Sequence, residues 1–391
     1  MRESRESTLD FCGERFSVAY SLAGPEERAR ALADDICIEQ TVEFPEDLIE
    51  GEEIRKKIFG RVESFGPPEA GGARQGEETF EAVISYAAEI SGHELTQLMN
   101  VMFGNASLKP GIRVEKIWVG PGLAKALGGP RFGRRGLRRL VGAAGRVLLC
   151  TALKPMGLSV LELAGQARRF ALGGMDIIKD DHGLADQSFS RFGERVERCV
   201  WEVSRANRAT SGRCLYVPNI TAGGSRMKER ALLAKQAGAG GLLVAPGLAG
   251  YGALAELAAD DEIGLPILCH PAFQGSFVAD TGSGLSHGML FGKLARLAGA
   301  DATIFPNYGG RFSFNREQCR QIVDATEADM GEGIEPIFPC PAGGMNMKNI
   351  PEMLEFYGEE AIFLMGGGLI RHGRDLVESC RYLRDLVTTG G

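Results

Sequence analysis

Several absences narrow the field before any motif is considered. The 391-residue chain has two tryptophans and five histidines, so any catalytic imidazole comes from a short list of candidates. Its 44 basic residues are outnumbered by 51 acidic ones, for a net charge of −7, which provides no electrostatic footprint for nucleic acid. No run of about 18 apolar residues occurs, which excludes a membrane-spanning helix. The opening Met1–Ser7 is polar and charged and lacks the apolar core of a secretion signal, which predicts a cytoplasmic protein. Nine scattered cysteines, an odd number with no CxxC pair, argue against a disulfide framework or a zinc ribbon and suit small apolar core positions. The one local concentration of positive charge, Arg131–Arg139, reads as a solvated helix start or a subunit contact.

Glycine, by contrast, is abundant: 54 residues without low complexity imply many tight turns or backbone approaching a ligand. From about residue 145 the chain repeats one unit, in which a helix-like stretch ends in small residues and glycine and a short apolar run follows. The runs are Arg146–Leu153, Met175–Lys179, Cys214–Pro218, Gly241–Ala245, Pro266–Cys269, Ala302–Phe305, Pro336–Pro339 and Ala361–Met365. Eight strands alternating with helices fit a (β/α)8 TIM barrel. An open doubly wound sheet is the competing arrangement, but the glycine-rich turn it usually places after its first strand is absent from Thr151–Ser159. Ser159 and Glu162 instead form a capping box that opens the first barrel helix. The first ~120 residues lack this rhythm. Phe16–Tyr20, Phe59–Ser64, Thr79–Ala88 and Val114–Val119 read as strands, with helices over Pro25–Asp35 and His93–Val101 and a Pro/Gly-rich loop over Gly66–Gly76. The expected architecture is therefore α/β, with an N-terminal α+β (ferredoxin-like) domain over residues 1–122 and a TIM barrel over 123–391.

Barrel ligands collect at the C-terminal ends of the strands. Those ends carry Lys154-Pro155, then Lys179-Asp180-Asp181-His182, Asn219, His270 and Asn307, followed by Ala342-Gly343-Gly344 and Gly366-Gly367-Gly368. Lysine, carboxylates and imidazole at the end of an apolar run suit a divalent cation; a salt-bridge knot of Lys179 with Asp180 is the alternative. Magnesium prefers oxygen ligands, so Lys179 could join Asp181 and His182 only after carbamylation turned its cation into a carboxylate. Lys154 and His270 are candidate acid–base groups. Glycine pairs Gly343-Gly344 and Gly366-Gly367 after strands 7 and 8 let backbone N–H groups approach a phosphate. His93, His287 and His372 have no such placement and read as structural.

These ordered motifs resemble the ribulose-bisphosphate carboxylase large-chain superfamily over nearly the whole chain. Lys154–Ser159 is similar to its strand-1 motif and Gly173–His182 to its carbamylated-lysine and metal motif. Glu39 in Ile38–Thr41 and Asn105 in Met102–Asn105 match N-domain residues that reach a partner subunit's site. The resemblance implies one Mg2+ per active site beside a carbamylated Lys179, and a homodimer with shared sites that could assemble further.

The chain also departs from the carboxylases. Met156 stands where they carry a second lysine, His182 where they carry a metal-binding glutamate, and Pro271 where they carry an arginine. A histidine position falls at Ile304, a mobile-loop lysine becomes Arg311, and a phosphate-side serine becomes Ala342. CO2 fixation is not expected. The pattern is similar to Rubisco-like proteins, which implies an enolate-forming decarboxylase or isomerase of a phosphorylated keto sugar or sugar acid, of the 3-oxo-isoapionate 4-phosphate or methylthioribulose 1-phosphate type. A 2,3-diketo-5-methylthiopentyl-1-phosphate enolase and a non-catalytic binding or regulatory protein are the alternatives.

Overall fold

A computed structural model describes residues 9–68, 78–312, 314–331 and 333–389. The opening segment and most of the Pro/Gly-rich loop lie outside them. The chain divides into two compact units. The first holds residues 1–127 together with 276–290 and 329–333, and the second holds the rest. A single cut after residue 122 does not reproduce this division, because a later segment returns to the first unit.

That first unit is built on strands β1 (Arg15–Ala23), β2 (Arg61–Gly66), β3 (Thr79–Ala87) and β4 (Ile112–Trp118), with helices Glu26–Glu39 and Leu95–Phe103. Spatial order β4-β1-β3-β2 with antiparallel pairing is the ferredoxin-like arrangement. The alternation of β1, with Phe16, Val18, Tyr20 and Leu22 fully buried, explains why its sequence reads as a half-buried strand. A two-residue strand, Gly284–Leu285, pairs parallel with β4 and accounts for the return of the later segment.

All eight expected barrel strands are present in the second unit. They are β5 (Leu148–Leu153), β6 (Ile177–Asp180), β7 (Leu215–Val217), β8 (Leu242–Val244) and β9 (Ile267–Cys269), then, with Gly284–Leu285 counted as β10, β11 (Ala302–Pro306), β12 (Phe338–Ala342) and β13 (Ile362–Leu364). They run parallel in the order β7-β6-β5-β13-β12-β11-β9-β8. The sheet closes where Ile220 N donates to Leu243 O (3.0 Å) and Leu243 N to Pro218 O (2.9 Å). Every residue of β5 is buried, as a parallel strand covered on both faces requires. β12 starts two residues later than the expected run Pro336–Pro339 and continues through Pro341 to Ala342. The capping box forms as expected, with Ser159 N donating to Glu162 Oε2 at 2.8 Å. Each of three helix-to-strand junctions turns on a left-handed glycine, Gly174, Gly238 or Gly299 (φ +88°, +91°, +82°), a conformation that costs a side-chain-bearing residue energy.

The basic stretch proves to be structural. Helix Gly133–Val141 places Leu137 and Val141 in the core with Leu148, Ile177, Leu243 and Phe338 at the strand entrances. Its arginines staple that plug. Arg134 Nε donates to Ile337 O (2.7 Å), Arg138 Nη1 to Arg146 O (2.7 Å) and Arg131 Nη2 to Asp261 Oδ1 (2.7 Å). The expected solvated helix start holds for Arg135, whose side chain is 83% exposed, but not for Arg134 and Arg138, which these bonds draw in. All nine cysteines are free thiols, eight of them buried. No helix among the described residues is long and apolar enough to cross a membrane.

Candidate active site

β6 ends in two adjacent carboxylates, and the period-2 geometry of a strand sends them to different surroundings. Asp180 is fully buried. It accepts from Tyr216 OH (2.6 Å), Arg195 Nε (3.2 Å) and the Asn219 backbone N–H (3.1 Å). Burial pushes its carboxyl above the usual range despite those donors. The knot expected between Lys179 and Asp180 is therefore not the arrangement: the carboxylate of Asp180 is taken by Arg195, and Lys179 Nζ reaches only its backbone carbonyl, at 3.0 Å. Lys179 is 2% exposed, and burial holds its amine below the ordinary lysine range.

Asp181 is the opposite case. Lys154 Nζ lies 3.1 Å and His182 Nδ1 3.2 Å from the same oxygen, Oδ1. Burial opposes its ionisation, but the hydrogen bonds of His182 and Lys154 and the nearby lysine charges win, holding its carboxyl well below the ordinary range. The His182 ring stacks on that of His270 with centroids 4.2 Å apart and planes 15° from parallel. Burial first, then the neighbouring charge of Lys179, pushes His270 down to about 2, so its imidazole is neutral. The Ala272 backbone N–H donates to His270 Nδ1 at 3.2 Å, which leaves the ring proton on Nε2. Lys154, Lys179, Asp181, His182 and His270 thus converge from the ends of β5, β6 and β9. No group of three His, Cys, Asp or Glu placed to hold a metal is found among the described residues.

Asn219 shows how the loop after β6 is held. Its side-chain amide donates to the carbonyls of His182 and Leu184, both at 2.9 Å, and its Oδ1 accepts from Thr221 Oγ1 at 2.7 Å. Arg195 adds donations to Ser190 O and Ala185 O, both 2.7 Å. Sequence reasoning missed Arg195 and Tyr216, because nothing in a helix-interior arginine or a strand tyrosine announces a contact with Asp180. Asn307, a strand-end polar residue, turns away from the cluster; Tyr357 OH donates to its Oδ1 at 2.6 Å.

The glycine pairs are less uniform than the sequence suggests. Space is open where a Cβ would stand at Gly343, Gly366 and Gly367. Gly344 (φ +73°) is needed for packing as well, since a Cβ there would meet Gly310 Cα at 2.8 Å. This contact seats the loop carrying Arg311 directly on the turn after β12. The Arg311 guanidinium lies over the Phe312 ring at 5.0 Å. Within the first unit, Asn105 Nδ2 donates to Glu39 Oε1 (3.0 Å) and to Glu43 Oε1 (2.9 Å), so those two expected residues meet each other. Two clefts of about 480 and about 390 Å³ open at the strand entrances, near Arg146, Asp176 and Cys214, away from the titratable cluster.

A parallel eight-stranded barrel whose strand exits gather a buried lysine, a carboxylate, a second lysine and two imidazoles is a TIM barrel with its titratable groups at the end where barrel active sites sit. Comparison with known proteins narrows the class. Residues 134–385 match the model of the ribulose bisphosphate carboxylase large chain, catalytic domain, and the chain belongs to that family. It is similar to the 5-methylthioribulose-1-phosphate isomerase of Rhodospirillum rubrum, at 36% identity covering 93% of this chain and 94% of that one. It is also similar to the 2,3-diketo-5-methylthiopentyl-1-phosphate enolase of Bacillus velezensis, at 30% identity covering 89% and 84%. Among solved structures, a Rubisco-like protein from Rhodopseudomonas palustris superposes with a TM-score of 0.85 at 36% identity, covering 97% of this chain and 99% of that one.

Proposed function

We propose that the chain is an enolate-forming enzyme that isomerises or decarboxylates a keto sugar or sugar acid carrying a single phosphate, without fixing CO2. The observation that carries this reading is the convergence of Lys154 and His182 on one oxygen of Asp181, beside the buried Lys179. The residues suit a divalent cation. Asp181 is an ionised, partly buried oxygen donor, and a lysine whose amine is held below its ordinary range is the form that takes up CO2. The neutral amine adds to CO2 and releases a proton, which leaves a carbamate at Lys179 in place of an ammonium. A cation held there by Lys179, Asp181 and His182 would polarise a substrate carbonyl and acidify the neighbouring C–H.

Lys154, partly exposed and 3.1 Å from Asp181, serves as the base once its ammonium has released a proton to solvent. His270, neutral with its proton on Nε2, donates to the oxygen that gains charge. Gly343, Gly366 and Gly367 offer backbone N–H groups to the phosphate, with Gly344 shaping that turn and Arg311 supplying charge from the adjoining loop. Glu39 and Asn105, already joined to each other, would complete the site of a second copy in a homodimer. The 36% isomerase relative, against the 30% enolase relative, favours isomerisation over the enolase reaction.

The test is exchange of a substrate C–H in D2O, followed by NMR with phosphorylated ketoses in the presence of bicarbonate and a divalent cation. Cation-dependent exchange, abolished in Lys179→Ala, is expected; an absence of exchange and of bound metal would sink the proposal. CO2 released from a β-keto sugar acid phosphate selects decarboxylation over isomerisation.

A further inference from the structure

We propose that this site binds its cation through an imidazole nitrogen, His182 Nδ1, and so selects a first-row transition ion over magnesium. The inference rests on the enolate-forming reading above and concerns the identity of its metal.

The geometry comes first. His182 Nδ1 and Asp181 Oδ1 are 3.2 Å apart. Two donors on adjacent corners of an octahedron with bonds of about 2.1–2.2 Å lie ~3.0–3.1 Å apart, so an ion could sit between these two atoms with little movement of either, provided that Lys154 Nζ, 3.1 Å from the same oxygen, gives way to it. The ring is held in this orientation. One face stacks on His270, and the backbone of His182 is fixed by Asn219 at 2.9 Å. When Nδ1 coordinates, the neutral imidazole carries its single ring hydrogen on Nε2.

His270 is not the nitrogen donor. Its Nδ1 is already an acceptor for the Ala272 N–H at 3.2 Å, which leaves Nε2 as a donor. The ligand set is therefore one imidazole nitrogen, the Asp181 carboxylate and the Lys179 carbamate.

Chemistry and charge then point the same way. Magnesium is a hard ion that dehydrates reluctantly and favours oxygen ligands, whereas imidazole suits the borderline first-row ions. Two anionic ligands and a neutral one just balance a divalent ion. A third carboxylate would leave the site one unit negative and hold a hard cation more tightly by Coulomb attraction. Exchanging that negative charge for a nitrogen donor weakens magnesium binding more than binding of an ion that gains from nitrogen.

The experiment uses the full chain in bicarbonate buffer. Mn2+ binding is titrated by EPR, Mg2+ is added as competitor, and pulsed EPR reads hyperfine coupling from a ligating 14N. The wild type and His270→Gln should show the 14N coupling, and His182→Glu and His182→Gln should lose it. The ratio of Mg2+ to Mn2+ dissociation constants should fall about tenfold or more in His182→Glu. His182 is 44% exposed in its side chain, so these variants are expected to fold. Absence of 14N coupling, coupling that survives His182→Glu, or an unchanged ratio overturns the proposal. Bound Mn2+ with cation-dependent C–H exchange but no 14N coupling would overturn this proposal alone and leave the enolate reading standing. Coupling at His182 without exchange on any phosphorylated ketose would support it while counting against that reading.

Discussion

Strand β6 is flanked by two aspartates that meet cations in opposite ways. At its entrance, Asp176 accepts from Arg146 Nη1 (2.8 Å) and Nη2 (2.7 Å) and from the Leu149 backbone N–H (2.8 Å), with Arg384 Nη2 a further 2.8 Å away. Both oxygens of that carboxylate are in use, Oδ1 by Arg146 and Oδ2 by Arg146, Leu149 and Arg384. At the exit, Asp181 has Lys154 and His182 both on Oδ1, and among the described residues Oδ2 takes no comparable partner. Both are aspartates beside two cationic or cation-capable groups. The difference lies in spare capacity: a saturated carboxylate holds structure together, and an unsaturated one at a strand exit can accept something else.

Replacing each aspartate tests that contrast, and the largest effect belongs to the exit. Asp181→Asn is expected to lower kcat/KM by at least ~10³-fold, the scale of losing a preorganised electrostatic group, with a smaller loss of stability than at the entrance, because its ion pair with Lys154 is partly exposed. At the entrance, Asp176→Ala leaves Arg146 and Arg384 facing each other without their shared counter-ion. A loss of roughly 3–5 kcal/mol of stability is expected in denaturant titration, with kcat per folded molecule retained. Reversal of the two phenotypes would break the comparison. A smaller effect is expected from Gly344→Ala, whose added methyl meets Gly310 and whose φ of +73° disfavours a side chain. A stability loss of ~1–2 kcal/mol should accompany a raised KM for phosphorylated substrate, since the same turn shapes the proposed phosphate cradle.

Much of this was legible in the sequence because it is written locally. Glycine stops, apolar runs and the Ser159–Glu162 box are each readable within a few residues, and together they specified eight strands that the structure contains. The strand-exit rule then gathered Lys154, Lys179, Asp181, His182 and His270 from distant segments into one list. What escaped was whatever depends on which side chain meets which. Arg195 lies 15 positions from Asp180 on a helix whose periodicity asks for a buried apolar residue, so its role as counter-ion carries no local signal. The arginines of helix Gly133–Val141 looked solvated because acceptors such as Ile337 O and Glu359 O lie 203 and 221 positions away. The return of residues 276–290 to the first unit was hidden because a two-residue strand has no periodicity to read.

The smallest expected effect is on acid stability, and here the two ends of β6 should agree. Burial works against ionisation of Asp176, but the Arg146 hydrogen bonds and the charges of Arg384 and Arg146 hold its carboxyl below the ordinary range. Asp181 is lowered too, by different donors. A carboxyl depressed in the folded state contributes stability that is fully present above its unfolded value of about 3.9, and that is lost as pH falls through the folded value. Urea unfolding between about pH 5 and pH 3 should therefore show stability falling with acid, by at most ~1.4 kcal/mol per pH unit for each such group. Asp176→Asn and Asp181→Asn should each flatten that slope, each measured against its own lowered baseline. An unaltered slope in either variant would show that its carboxyl is not depressed. Agreement at this level sharpens the contrast, because a lowered carboxyl is common to both positions and cannot separate them. What separates them is whether the donors that lower it also occupy both oxygens, as they do at Asp176 and do not at Asp181.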